Sequence, residues 1–150
     1  MKTNIELKEL AQQLAPYIAQ ELTRIPVFYG DPDRVKKGKG VKLINTFFNL
    51  SSGTVTIGDY TFFGNNVTIL TGTHDITKKL EERKKSPTKG NDVHIGKGVW
   101  ISSNAVIIGP CSIGDNAVIA AGSIVLPGVY EADSLYAGCP ATLKKKINFN

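Results

Sequence analysis

The chain has 150 residues, a formal charge of +5 and 41% hydrophobic residues, a size suited to one domain that buries a core without disulfide or metal staples. With 21% charged residues and a mean hydropathy of −0.08, the composition excludes a disordered tail, a collagen-like fibre and a disulfide-rich scaffold. Apolar runs are too short to span a bilayer, and the opening MKTNIELKEL lacks the apolar stretch of a signal peptide; a cytoplasmic protein with no membrane partner is expected.

Over residues 4–25, Leu7, Leu10, Ala11, Leu14, Ile18 and Leu22 share one helical face. An amphipathic helix follows from that spacing, with Thr3 and Glu6 as a capping box. Pro16 is expected to kink or divide this helix, and Pro26 to end it. Its expected place is over an open end of the structure that follows; packing on a side face is the alternative.

Basic residues then come in three blocks, five in Arg34–Lys42, six in Lys78–Lys89 and three in Lys144–Lys146. Such blocks are either solvated surface or an attraction for a small phosphorylated ligand. No RNA- or DNA-binding signature accompanies them, so nucleic acid is not an expected partner.

Aliphatic residues recur at every sixth position from Ile95 through Ile101, Ile107, Ile113 and Ile119 to Val125, and earlier at Ile57, Phe63 and Ile69. Three residues into the later hexads stand Gly98, Asn104, Pro110, Asn116, Gly122 and Gly128, all turn formers. A period of six is neither the helical 3.6 nor simple strand alternation. It describes a short strand and a turn, repeated, which is the signature of a parallel β-helix whose coils bury their apolar sides on one another. The expected coils are residues 40–69 and 91–129, with residues 1–26 as helix and 130–150 as a C-terminal extension.

Cys111 fills a small-residue slot of its hexad and reads as a buried hydrophobe rather than a nucleophile. With Cys139 it makes no CxxC pair, which fits a reducing compartment and gives no metal framework. The two phases are separated by 26 residues, 69 to 95, which is not a multiple of six. Residues 70–90 therefore leave the coil as one long inserted loop, which opens with Thr71-Gly72-Thr73-His74-Asp75. Long excursions from a compact repeat are often functional.

The segments VTIGDYTFFGNNVTILTGTHD (55–75) and VHIGKGVWISSNAVIIGPCSIGDNAVIAAGSIVLPGVYEADSLYAGCPATLKKKI (93–147) resemble the hexapeptide-repeat acyltransferases, in particular the galactoside and maltose O-acetyltransferase branch. The resemblance covers roughly the last two thirds of the chain. It implies an all-β solenoid, a left-handed parallel β-helix of triangular section, assembled as a homotrimer with active sites between subunits. Acetyl-CoA is the implied cosubstrate, no metal is expected, and the acceptor is a saccharide or nucleotide-linked sugar.

Acyl transfer from a thioester needs a base beside the acceptor, and imidazole has the unperturbed pKa suited to that task near neutrality. His74 matches the loop histidine of the resembled enzymes, with Asp75 beside it as a candidate orienting group; His94 matches nothing and reads as a bystander. Asn49 resembles an acceptor-contacting asparagine, although the acidic residue that follows it in those enzymes is replaced by Ser51-Ser52-Gly53. Trp100 and Ser103 correspond to coenzyme-groove residues, Ala121 and Gly122 to small residues beside the pantetheine arm, and Lys144 and Lys145 to cations near the nucleotide phosphates. The expected reaction is O-acetylation of a saccharide. The alternatives are N-acetylation of an amino sugar and a non-enzymatic binding solenoid. A zinc-dependent carbonic anhydrase on a similar solenoid would need three histidines, and the chain has two.

Overall fold

A computed structural model describes residues 4–149, with side chains from Glu6 onward. Thr3 of the expected capping box lies outside those residues. Helix α1 (Asn4–Leu22) turns into β1 (Val27–Tyr29), and a 3-10 turn at Pro32–Arg34 leads to β2 (Val35–Lys37) and β3 (Phe47–Asn49). Three full coils follow. They are β4 (Val55–Ile57), β5 (Phe62–Phe63) and β6 (Thr68–Leu70); β7 (Val93–Ile95), β8 (Trp100–Ile101) and β9 (Val106–Ile108); and β10 (Cys111–Ile113), β11 (Val118–Ile119) and β12 (Ile124–Val125). The chain finishes with β13 (Gly128–Tyr130), β14 (Ser134–Ala137) and β15 (Thr142–Lys146), and a short helix, α2 (Leu80–Lys84), stands between β6 and β7.

These strands form three five-stranded sheets, the faces of a triangular prism: a first face β1-β3-β6-β9-β12, a second β13-β10-β7-β4-β2 and a third β15-β14-β11-β8-β5. Every pairing is parallel except β14 with β15, which folds back antiparallel. This is the left-handed parallel β-helix that the hexads describe. Two of its three corners need a residue in the left-handed region. Between the second and third faces these are Gly40, Tyr60, Gly98, Asn116 and Asp133; between the third and first they are Asn45, Asn66, Asn104, Gly122 and Gly138. Glycine and asparagine tolerate that conformation best, which is why the hexads place them there.

All nine hexad positions point inward. Ile57, Phe63, Ile69, Ile95, Ile101, Ile107, Ile113, Ile119 and Val125 are each at most 3% exposed. Stacking aligns them in columns, for instance Phe48, Ile69, Ile107 and Val125 along the first face through consecutive register pairs. Backbone groups are satisfied between coils, as when Phe62 N–H donates to Val99 C=O and Gly64 N–H to Ile101 C=O. On the second face, burial pushes the Cys111 thiol up to about 12, so it remains neutral and inert, while Cys139 is exposed.

Three expectations are corrected. Coils begin at Val27 rather than residue 40, because the 3-10 turn at Pro32–Arg34 takes the first coil out of the six-residue phase. They also continue to Ala137, as β13 and β14 pair on β10 and β11. Of the two expected effects of Pro16, helix α1 does not show the division, and the helix does not cover the end of the solenoid: Leu7, Leu10, Leu14, Ile18 and Leu22 are 41–63% exposed. Its amphipathic pattern marks a face without telling what that face meets.

Ile107 sits mid-column and fully buried. Ile107→Ala is expected to cost about 2–5 kcal/mol in denaturant titration, the range for deleting a core aliphatic side chain.

Candidate active site

The long loop leaves the prism at the corner between the first and second faces. Thr71 holds its start, with both its N–H and its Oγ1 donating to Asn49 C=O at 2.9 Å. The Asn49 side chain is fixed in turn, since its Oδ1 accepts from Ser51 N–H (3.1 Å) and Ser51 Oγ (2.8 Å). Gly72 passes so close that an added Cβ would stand 2.5 Å from the Asn49 amide atoms and from Ser51 Oγ. Only glycine lets the backbone lie on that pair.

Beyond Gly72, His74 Nδ1 lies 3.3 Å from Ser86 Oγ. Ser86 reaches it because the loop folds back on itself. Asp75 Oδ1 accepts from Thr77 Oγ1 (2.7 Å) and Thr77 N–H (2.9 Å), which holds its carboxyl below the ordinary carboxylate value. Arg83 Nε donates to Lys78 C=O at 2.7 Å. On the return, Arg34 Nη1 donates to Leu50 C=O (2.9 Å) and Thr88 C=O (3.4 Å), clasping the loop to the coil. Asp92 Oδ1 accepts from Thr54 N–H and Oγ1 at 2.7 and 2.8 Å, and these bonds lower its pKa.

Two open cavities flank the His74–Ser86 pair. One of about 440 Å3 is walled by Tyr29, Asn49, Ser51, Thr73 and Lys84. The other, about 400 Å3, is walled by Asp75, Lys78, Glu82 and Lys85. Of the expected acceptor-side residues, Asn49 and His74 therefore share the first cavity, while Asp75 faces the second and is committed to Thr77.

The expected donor-side residues gather at a different place. Trp100 is 44% exposed on the outer side of the third face, stacked on Phe62 with ring centroids 6.0 Å apart. Ser103 and Gly122 lie one above the other at the corner between the third and first faces, joined by Gly122 N–H donating to Ser103 C=O. Ser103 Oγ accepts from Asn65 N–H at 3.0 Å. Ala121 is exposed beside them, and a Cβ on Gly122 would meet nothing within 4 Å. Lys144 and Lys145 are exposed on β15, with Lys144 Nζ donating to Thr142 Oγ1. His94 stands apart from both groups, exposed on the second face between Thr56 and Ser112.

Comparison with known proteins places this architecture. The profile described as Bacterial transferase hexapeptide (six repeats) matches residues 92–127. A galactoside O-acetyltransferase of Lactococcus lactis is 30% identical over 143 residues, which are 93% of this chain and 67% of that protein. The chain belongs to the hexapeptide-repeat acyltransferase family. Among solved structures, a maltose O-acetyltransferase from Clostridium difficile matches with a TM-score of 0.68 and 30% identity, over 77% of this chain and 60% of that one. A galactoside acetyltransferase in complex with coenzyme A matches with a TM-score of 0.69 and 30% identity, over 83% of this chain and 61% of that one. The acyltransferase chain described here thus spans about three fifths to two thirds of the length of these relatives. Among its described residues, no helix is long and apolar enough to cross a membrane, and no group of three or more His, Cys, Asp and Glu could hold a metal ion.

Ser86 and Tyr29 escaped the sequence reading, which met Thr71 only as the start of the loop and Lys84 only within a basic block. Tyr29 has a signal after the fact, since β1 pairs with β3 so that Tyr29 stands beside Asn49. Ser86 has none, because the eleven residues between it and His74 keep no hexad period. Gly72→Ala is expected to keep the coil intact while turning the Asn49 amide away from Ser51; a crystal structure of the variant with the Asn49–Ser51 bonds unchanged contradicts the packing described here.

Proposed function

We propose that the protein transfers an acetyl group from acetyl-CoA to a saccharide hydroxyl, with His74 as the general base. The observation that carries the reading is the His74–Ser86 pair on a polar cavity shared with Asn49, in a chain whose relatives carry the names galactoside and maltose O-acetyltransferase. In the tautomer whose Nδ1–H donates to Ser86 Oγ, the Nε2 lone pair is free to take a proton. The acceptor oxygen bonds to the thioester carbon as its proton passes to Nε2. As the carbon–sulfur bond breaks, the imidazolium returns that proton to the leaving sulfur. No covalent enzyme intermediate is required, because the thioester is already activated.

Asn49 keeps its Nδ2 for the acceptor while Oδ1 is held by Ser51, and Asp75 shapes the loop behind the imidazole through Thr77. The donor would lie along the corner of Ser103, Ala121 and Gly122, with Trp100 on its flank and Lys144 and Lys145 toward its phosphates. An open strip of small residues lets a ligand's amides reach backbone groups, which suits a pantetheine arm. The acceptor cavity and this corner stand on opposite edges of the first face, so one copy holds half of each centre. A homotrimer would bring His74 of one copy to the donor corner of the next, and threefold closure would leave no open heterologous surface. The use of acetyl-CoA and two unpaired cysteines both suit the cytoplasm.

General-base contributions run to about 10²–10⁴-fold. His74→Ala is expected to lower thiol release from acetyl-CoA by at least that range with the fold retained, since the ring is exposed and its loss opens no cavity. His94→Ala, the matched control, should retain nearly full activity. Equal rates for wild type and His74→Ala would remove the mechanism.

A further inference from the structure

The cavity that His74 shares with Asn49 has a distinctive charge pattern. Among the described residues no carboxylate walls it; Tyr29, Asn49 and Ser51 are uncharged, and Lys84 is its one ammonium group. Lys84 Nζ is paired at 2.9 Å with Glu81, its neighbour three residues earlier on α2, and both side chains are at least three-quarters exposed. Exposed pairs of this kind are weak and exchange readily for a better-placed anion.

The other side of His74 is mixed in charge. The two carboxylates walling the second cavity are already engaged, Asp75 by Thr77 and Glu82 by both its oxygens with Lys85 Nζ at 2.7 and 2.9 Å. Lys78, on the same wall, is close enough to Asp75 for its charge to help hold that carboxyl down. Across 71–90 the loop carries six basic side chains against three acidic ones. The loop as a whole is therefore net positive, and the cavity shared with Asn49, where Lys84 is the one charged group beside the imidazole among the described residues, favours a ligand of the opposite sign.

We propose that the acceptor is an anionic saccharide, one bearing a phosphate or carboxylate group, and that Lys84 on α2 holds that group while the reacting hydroxyl sits between Asn49 and His74. The inference rests on the acetyl-transfer reading above and adds the chemical class of its acceptor. Lys84 acts here as a specificity residue: it reads a substituent away from the reacting oxygen, and it would affect the acceptor's Michaelis constant more than turnover.

The test compares a neutral hexose, the 6-phosphate of that hexose and the matching uronic acid, each titrated calorimetrically into the protein with CoA present. At least one anionic sugar is expected to bind ten times more tightly than the neutral one or better. The 6-phosphate and uronate arms tell whether phosphate or carboxylate is preferred. Lys84→Gln should abolish most of that advantage, Lys84→Arg should keep it, and Lys79→Gln, which changes a loop cation outside both cavities, should leave it in place. Raised salt should erode the advantage and leave the neutral sugar's binding unchanged. No preference for either anionic sugar, or a preference untouched by Lys84→Gln, overturns the inference. Thiol release from acetyl-CoA, assayed separately with the same sugars, keeps the two claims apart. Release without anion preference leaves acetyl transfer standing, whereas no release with any sugar brings down the reading beneath it.

Discussion

The six-residue step of the coil is the constraint on which the rest depends. A chain that turns after every short strand cannot satisfy its backbone within one coil, so each strand finds its partners one coil above and below, as in Phe62 N–H to Val99 C=O and Trp100 N–H to Ala117 C=O. That demand fixes the inward column of aliphatic residues and the left-handed residues at two corners. It also frees the third corner. The Asp92 carboxylate on Thr54, the Arg34 clasp and the Thr71 bonds to Asn49 tie the loop at both ends of the gap it leaves. Since β7 stacks directly on β4, a loop can depart after β6 and re-enter one coil-spacing of about 4.8 Å further along. A long insertion is tolerated because its ends are already held together.

Stability and chemistry are consequently carried by different atoms. The hexad columns are apolar, whereas the candidate site is made of exposed and partly buried polar groups whose positions derive from corner hydrogen bonds. The anchors of the loop are themselves charged. Asp92 and Asp75 both have carboxyl values depressed by hydrogen bonds from threonine, donated to Asp92 by Thr54 and to Asp75 by Thr77. A depressed folded-state pKa contributes stability that is present above the ordinary value of 3.8 and lost as pH falls through the folded value. The loop thus stays anchored across the neutral range in which an imidazole base operates.

Most of the solenoid was legible in the sequence because the columns depend on single residues at fixed intervals. Ile95 to Val125 keeps its phase through six positions, and the break before it located the loop and His74. The first coil was not legible. Phe28 and Val35, which pack against its core, are seven residues apart, and the Asp31–Arg34 turn hides the period. Helix α1 shows the limit of a periodic pattern, which names an apolar face but not its neighbour. The places of Ser86 and of Lys84, the latter legible only as one cation of a basic block, were hidden for another reason: they meet His74 and its cavity through the path of the loop, and no local spacing encodes that path.

On the proposed reading, the coil holds a base on one edge of the first face and a donor corner on the other, to be joined by a second copy of the chain. A crystal structure of the protein with CoA bound tests it most directly. The pantetheine arm is expected against Ser103, Ala121 and Gly122, with its thiol beside His74 of the partner subunit. CoA seated on the second face near His94, or a thiol pointing away from every His74 in the assembly, would contradict it.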